Sequence, residues 1–243
     1  MRSSAIAVAI DDPAPALPRP TRSRVHRGRD SRIVGLMIRR ITLFALAACN
    51  LASAAPFATE TRATGEFHAV ELAGTIDVDV HVGGARRVDV TGDADVLAHV
   101  TTDVRDGRLV VSTHGSFHPE HKTKVAITLP ALDAVELSGT GTIAVAGLAA
   151  PKLAITVRGT GTIALTGSVD DVAYQLSGTG AVHAQDLAAR SAVVAVEGTG
   201  TIALRASDSV NVAISGVGSV DVFGHPRSVT KSSHGTGHVT MRD

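Results

Sequence analysis

The residues best suited to chemistry stand close together in Thr113-His114-Gly115-Ser116-Phe117-His118-Pro119-Glu120-His121-Lys122. Three imidazoles, His114, His118 and His121, with the Glu120 carboxylate form a donor set that zinc accepts. Their spacing matches no structural zinc pattern, and a loop punctuated by Gly and Pro reads first as a solvated connection. The expectation is no metal site, with His114, His118 and His121 as the only set on which one could be built. His234 and His238 flank a glycine corner near the C-terminus and are read as facing water.

Polysaccharide cleavage would need basic residues and carboxylates converging on one groove. Lys152, Arg158, Arg190 and Arg205 fall in successive segments, with Asp170-Asp171 and Asp186 in the turns between them. They read as solvated surface charge. The chain has no G-x-S-x-G, no H-E-x-x-H and no phosphate loop ending in Lys-Ser/Thr. G-x-G does recur, but no helical pattern follows it, which excludes dinucleotide binding. No catalytic residue and no cofactor are expected.

The elements that would carry any site follow from composition and period. The chain has 243 residues, 24 Gly, one Cys, no Trp, one Tyr and five Phe, with 44% hydrophobics. The apolar fraction excludes general disorder, and a lone Cys excludes a disulfide scaffold. Six aromatics leave little for base stacking, so nucleic-acid binding is not expected. The balanced charge, 23 Lys+Arg against 23 Asp+Glu, hides unlike parts. Residues 1–36 carry seven Arg against three Asp, whereas Pro56 onward has 14 basic and 20 acidic residues. An acidic body gives no reason to expect an anionic partner.

Met37-Ile38-Arg39-Arg40 followed by Ile41-Thr42-Leu43-Phe44-Ala45-Leu46-Ala47-Ala48 and the small residues Ala52-Ser53-Ala54 has the layout of a signal peptide over 37–54. The apolar run is shorter than the roughly 20 residues that span a bilayer. Two processing routes stay open. Cleavage after Ala54 fits the small-residue rule, and Leu46-Ala47-Ala48-Cys49 resembles a lipobox that would lipidate Cys49. Residues 1–36 form an Arg/Pro-rich extension without a core, upstream of the expected start at Met37. Residues 55–65 read as a linker, and 66–243 as one domain. The location implied is outside the cytoplasm: periplasm, outer membrane or cell surface, with membrane contact only through a lipid at Cys49.

Within that domain, Ser138-Gly139-Thr140-Gly141-Thr142-Ile143 recurs five more times. Its glycine pairs are Gly139/Gly141, Gly159/Gly161, Gly178/Gly180, Gly198/Gly200, Gly216/Gly218 and Gly235/Gly237, at steps of 18 to 20 residues. Both glycines of each pair are read as corner residues. Apolar residues alternate on both sides, as in Ile155/Val157 before a corner and Ile163/Leu165 after it, the period of a strand with one buried face. About 19 residues cannot bury a core alone, but stacked copies share one. The fold class predicted is all-β: a parallel, right-handed β-helix (β-solenoid) with G-x-G corners. Glycine suits a corner that needs φ > 0 or no Cβ. The corner residues Thr140, Thr160, Thr179, Thr199 and Thr236 would stack into a ladder interrupted by Val217. Thr140/Thr142, Thr160/Thr162 and Thr199/Thr201 also form the kind of array that binds ice, but at a corner and with Ala181, Ser219 and His238 breaking the second column. Residues 65–130 keep the alternation without G-x-G and read as less regular coils that begin and cap the stack. At the far end, Lys231 and Ser233 stand where inward aliphatics are due, as suits a terminal coil.

The repeated S-G-T-G-T-I, the opening Phe67-His68-Ala69-Val70-Glu71-Leu72-Ala73-Gly74 and the ending Val222-Phe223-Gly224-His225-Pro226-Arg227-Ser228-Val229 resemble the bacterial GIN-domain family of autotransporter adhesin heads. The resemblance runs roughly from Phe67 to Met241. It implies a right-handed parallel β-helix, export and an adhesive role, in the shape of the pectin-lyase superfamily but without its catalytic residues. It carries over no site residues. The expectation is a non-enzymatic exported surface protein that meets an envelope, glycan or protein ligand. The rival expectation is a carbohydrate-active enzyme, and paired carboxylates in a cleft would discriminate the two.

Overall fold

A computed structural model describes residues 57–115 and 121–242. The extension 1–36, the leader 37–54 with Cys49, and His118 lie outside the described residues. In chain order the first elements are β1 (Phe57–Arg62), β2 (Ala69–Leu72), β3 (Asp77–Val82), β4 (Arg87–Asp93) and the one-turn helix α1 (Ala94–Leu97). Then follow β5 (Val100–Arg105), β6 (Arg108–Thr113), β7 (Lys124–Leu129) and β8 (Ala134–Leu137). The long strands are β9 (Thr140–Val157), β10 (Thr160–Leu176), β11 (Thr179–Val196) and β12 (Thr199–Ile214). β13 (Val217–Phe223), β14 (Ser228–Ser233) and β15 (Thr236–Arg242) complete the chain.

The described residues form a β-solenoid of about five turns. β9, β10, β11 and β12 pair in parallel, and the register aligns Thr140, Thr160, Thr179, Thr199, Val217 and Thr236 in one column. The steps between these residues are those of the sequence repeat, so each copy is one rung. The main chain stays extended through the looser return, which makes each rung a single bent strand rather than two. Differences in rung length collect at that return: the register shifts between Leu165 and Gly167, and again between Ala184 and Ala188.

Inward residues stack on their own kind. Ile143, Ile163, Val182, Ile202 and Val220 form one fully buried column, and Val157, Leu176, Val196 and Ile214 another. Each buried aliphatic of this size contributes about 1.5–3 kcal/mol. Tyr174 enters the column between Ile155 and Val194, and its hydroxyl has no hydrogen-bond partner among the described residues. Burial pushes that phenol well above its ordinary pKa.

The two glycines of each repeat do different things, which corrects the expectation that both form the corner. The bend falls on the first glycine and the residue before it, from Ser138-Gly139 through to His234-Gly235. The second glycine already lies inside a strand. Gly141, Gly161, Gly180, Gly200, Gly218 and Gly237 are the second residues of β9, β10, β11, β12, β13 and β15, and they pair with one another in parallel register. The reason is that ladder hydrogen bonding resumes one residue earlier: Thr160 N donates to Gly139 O at 2.9 Å, and Thr179 N to Gly159 O at 3.0 Å. Main-chain hydrogen bonds thus join the corners, with the threonine side chains pointing outward.

Crowding between rungs, more than handedness, keeps both positions glycine. A Cβ at Gly159 would lie 1.9 Å from the carbonyl oxygen of Gly139, although Gly159 does not have a positive φ. In the strands, a Cβ at Gly180 would lie 2.1 Å from the Gly161 carbonyl oxygen, and one at Gly200 1.8 Å from that of Gly180. Towards the end of the stack the approach relaxes, to 2.4 Å between Gly218 and the Gly200 oxygen and 2.6 Å between Gly237 and the Gly218 oxygen. Gly161 meets both demands, with φ 150° and the Gly141 carbonyl 1.9 Å from where a Cβ would be.

The N-terminal part departs from rung order. β2 and β3 form a rung with its own corner, where Gly74 lies under Gly139 and Thr75 bridges to Thr140. β6 and β7 form the next rung outward, since β6 pairs with β2 and β7 with β3. The chain then returns across the inner rung to lay β8 against the other side of β2. Outermost come antiparallel strands: β4 on β7, β1 on β4, and β5 on β6. Residues 57–62, read from sequence as linker, are therefore a paired edge strand. It is short and carries Thr59, Glu60, Thr61 and Arg62, which suits an exposed edge. At the other end Lys231 and Ser233 sit over Val212 and Ile214, the register expected of a polar terminal rung.

Candidate functional site

The histidine loop replaces the corner of the outermost rung, between β6 and β7, and its described histidines point to different places. His121 Nδ1 lies 2.7 Å from Oδ1 of the buried Asp93, whose Oδ2 accepts from the His121 amide at 3.0 Å. Its ring meets Phe57 of β1 edge-on at 5.5 Å. His114 instead lines a recess beside Ser112 and Asp103. Among the described residues no three His, Cys, Asp or Glu side chains group to hold a metal.

That recess is lined mainly by polar and charged residues. The β5–β6 hairpin turns through Asp106 (φ 50°) and Gly107 (φ 72°), the left-handed pair that a tight two-residue connection requires. Strand alternation then puts Asp103 and Arg105 of β5, Arg108 and Ser112 of β6, and Glu71 of β2 on one outer face. With Ala73, Asp106, Val110 and His114 they enclose about 700 Å³. Arg105 Nη2 lies 3.8 Å from Asp103 Oδ2, and both side chains are largely in water. Thr101 and Ser112 hydroxyls hydrogen-bond across the hairpin at 2.7 Å.

Next to the recess, Glu71 and Glu136 stand side by side in register on β2 and β8. Two like charges in adjacent parallel positions repel unless they are compensated. Arg108 reaches over Ala69 from β6 and donates Nη1 to Glu136 Oε2 at 2.6 Å, with Glu71 Oε2 3.9 Å away. Arg158, from the following corner, donates to Glu136 Oε1. Ser138 Oγ donates to Glu71 Oε1 at 2.7 Å. The Glu136 side chain is only 9% exposed. Paired carboxylates are thus present, but both oxygens of Glu136 are taken by guanidinium groups.

The other charged candidates do not meet there. Arg190 lies 3.9 Å from Asp171, and Arg205 Nε donates to the Gln185 carbonyl at 2.8 Å. Lys152, Asp133 and Asp171 rim a second, mainly apolar recess of about 650 Å³ over Ala154, Ala173 and Val193. Arg158, read from sequence as solvated charge, is the exception, since it joins the Glu136 cluster. Glu71, Glu136 and Arg108 were not singled out in the sequence. A signal was there: Ala69-Val70-Glu71-Leu72-Ala73-Gly74-Thr75 recurs as Ala134-Val135-Glu136-Leu137-Ser138-Gly139-Thr140.

Comparison with known proteins bears on the architecture. The family described as "Putative auto-transporter adhesin, head GIN domain" matches residues 66–226. The solved structure of a "putative adhesin" from Bacteroides fragilis superposes with a TM-score of 0.63 at 22% identity, covering 77% of this chain and 97% of that one. A "putative adhesin" from Parabacteroides merdae gives a TM-score of 0.46 at 18% identity, covering 77% and 96%. No curated protein sequence matches. At 22% identity the likeness to the Bacteroides fragilis structure speaks to the fold alone. The family match extends over most of the described rungs, and on that ground the chain belongs to the auto-transporter adhesin head GIN-domain family.

Proposed function

We propose that the protein is an exported, non-enzymatic surface module that adheres to an envelope, glycan or protein ligand. The observation that supports this reading most is the scaffold. Inward columns lock successive rungs, so outward side chains are held in fixed rows about 4.8 Å apart along the stack. Such rows suit multipoint contact with an extended surface, because little backbone order remains to be imposed on binding. The test is binding of the purified domain to whole bacterial cells and to arrayed envelope components. Saturable binding is expected, and no binding to any of them would overturn the adhesive reading.

Export is tested by fusing residues 1–56 to a reporter that is active only outside the cytoplasm. Mass spectrometry of the mature N-terminus then separates cleavage after Ala54 from a lipidated Cys49. A cytoplasmic, uncleaved product would overturn export.

One observation favours the enzymatic rival, the neighbouring Glu71 and Glu136. Against it, Glu136 accepts from Arg108 and Arg158 and Glu71 from Ser138, so neither carboxylate is poised as a free acid–base pair. Release of reducing or unsaturated ends from acidic polysaccharides, abolished by Glu71→Gln, would reinstate it.

A further inference from the structure

We propose that the recess between the β5–β6 hairpin and β2 is a binding site for a neutral, polyhydroxylated glycan. This rests on the adhesive reading and assigns it a place and a ligand class. The recess sits where the chain leaves its repeat, and excursions from a solenoid's repeat collect on one face without disturbing the shared core. The recess has a volume of about 700 Å³ and is open to solvent on one side.

The chemistry of the lining selects among ligands. Glu71, Asp103 and Asp106 share the lining with Arg105 and Arg108, so neither an anion nor a cation meets a surface of one sign. A sugar ring instead presents adjacent hydroxyls, each able to donate and accept. A carboxylate and a guanidinium side by side meet such a pair with acceptors and donors together. Asp103 and Arg105 are so placed, and their 3.8 Å separation is too long for a hydrogen bond between them, which leaves their hydrogen-bonding capacity for a ligand. Their side chains are 58% and 74% exposed, within reach of a ligand from solvent. Beneath them Arg108 is anchored by Glu136, so the floor is already ordered before anything binds.

The experiment uses the secreted domain on an array of neutral hexose and hexosamine oligosaccharides, with uronic-acid oligosaccharides alongside. Neutral oligosaccharides are expected to bind, and Asp103→Asn and Arg105→Ala to weaken binding about tenfold or more each. Arg190→Ala, on a distant rung, should change it less than about twofold. Melting curves verify that the variants fold. The proposal fails if the wild-type protein binds only uronic-acid probes, or if both recess variants bind neutral probes undiminished. It also fails if cells are bound but no arrayed sugar is, and adhesion then survives with another ligand class. Absence of both cell and sugar binding would remove the adhesive reading as well.

Discussion

The regular rungs from Ser138 to Gly224 and the irregular part from Phe57 to Leu137 solve the same packing problem by different means. In the first, neighbours in space are neighbours in sequence, one rung on. Every contact recurs, so a single steric solution, a missing Cβ beside a neighbour's carbonyl, serves at each level. In the second, the outer rung of β6 and β7 comes later in the chain than the inner rung of β2 and β3 that it covers. Contacts there occur once each, and individual devices hold them: the Glu136 cluster, the Asp93–His121 pair and an antiparallel cover. Repetition makes identical demands on identical residues, whereas a single junction can be met by any local combination that fits.

Substitution at the corner probes the repeated solution and should have the largest effect. Gly159→Ala places its Cβ against the Gly139 carbonyl of the adjacent rung, and is expected to cost about 3 kcal/mol or more. Gly65→Ala, where no atom lies within 4 Å, should be neutral or slightly stabilising. Urea unfolding of the pair decides the matter. Equal stability of the two variants would break the distinction between glycines crowded by a neighbouring rung and glycines in open space.

Glu136→Gln probes the single junction. It removes the charge between Arg108 and Arg158, and because those arginines are partly in water the loss is expected to be about 1–2 kcal/mol. Hydrogen exchange should show β6 and β8 loosening while β10 to β12 keep their protection. Loosening spread evenly over all rungs would show that the two regions are not separately held.

A smaller effect is expected within the stack. Tyr174→Phe deletes a buried hydroxyl that has no partner among the described residues, and should leave stability unchanged or raise it by up to about 1 kcal/mol. A clear destabilisation in calorimetry would mean that the hydroxyl is satisfied.

The smallest effect concerns the antiparallel cover. The Arg87 guanidinium, and then the Thr61 hydroxyl, hold the Asp89 carboxyl below its ordinary pKa. A carboxyl lowered on folding stabilises the fold above its unfolded pKa, near 3.9, and loses that contribution as pH falls through the lower folded value. Protection of the β1 amides, taken relative to their intrinsic exchange rates, should therefore fall as the solution is acidified below about pH 4, ahead of protection in β10. No difference between the two strands would separate Asp89 from the anchoring of β1.

Much of the candidate site was hidden for the same reason that the repeat was plain. Asp103, Arg105 and Arg108 look like ordinary hairpin charges, and only the docking of β6 against β2 brings them beside Glu71. The spacing of the Ala-Val-Glu-Leu pair, from Glu71 to Glu136, is 65 residues and belongs to no rung period, so nothing local announces that the two glutamates stand side by side. In the histidine loop, nearness in sequence likewise does not decide what a side chain meets. His121 turns to Asp93 and Phe57, and His114 to the recess. Within the repeat itself the G-x-G spacing marked two positions that tolerate no side chain, but not which of them bends. A glycine excluded by a neighbour's carbonyl, such as Gly180 or Gly200, looks the same in sequence as one that turns the chain.

Sequence by itself determined the rung length, the residues that face inward and the glycine positions where no side chain fits. Those follow from strand periodicity and steric exclusion, which act over a few residues and repeat. Tertiary structure alone decided the reversed order of the first two rungs, the pairing of β1 and the meeting of Glu71, Glu136, Arg108 and Arg158. These depend on where the chain returns after a long excursion, and that is settled by which exposed edge and which uncompensated charge it can cover, not by any local pattern.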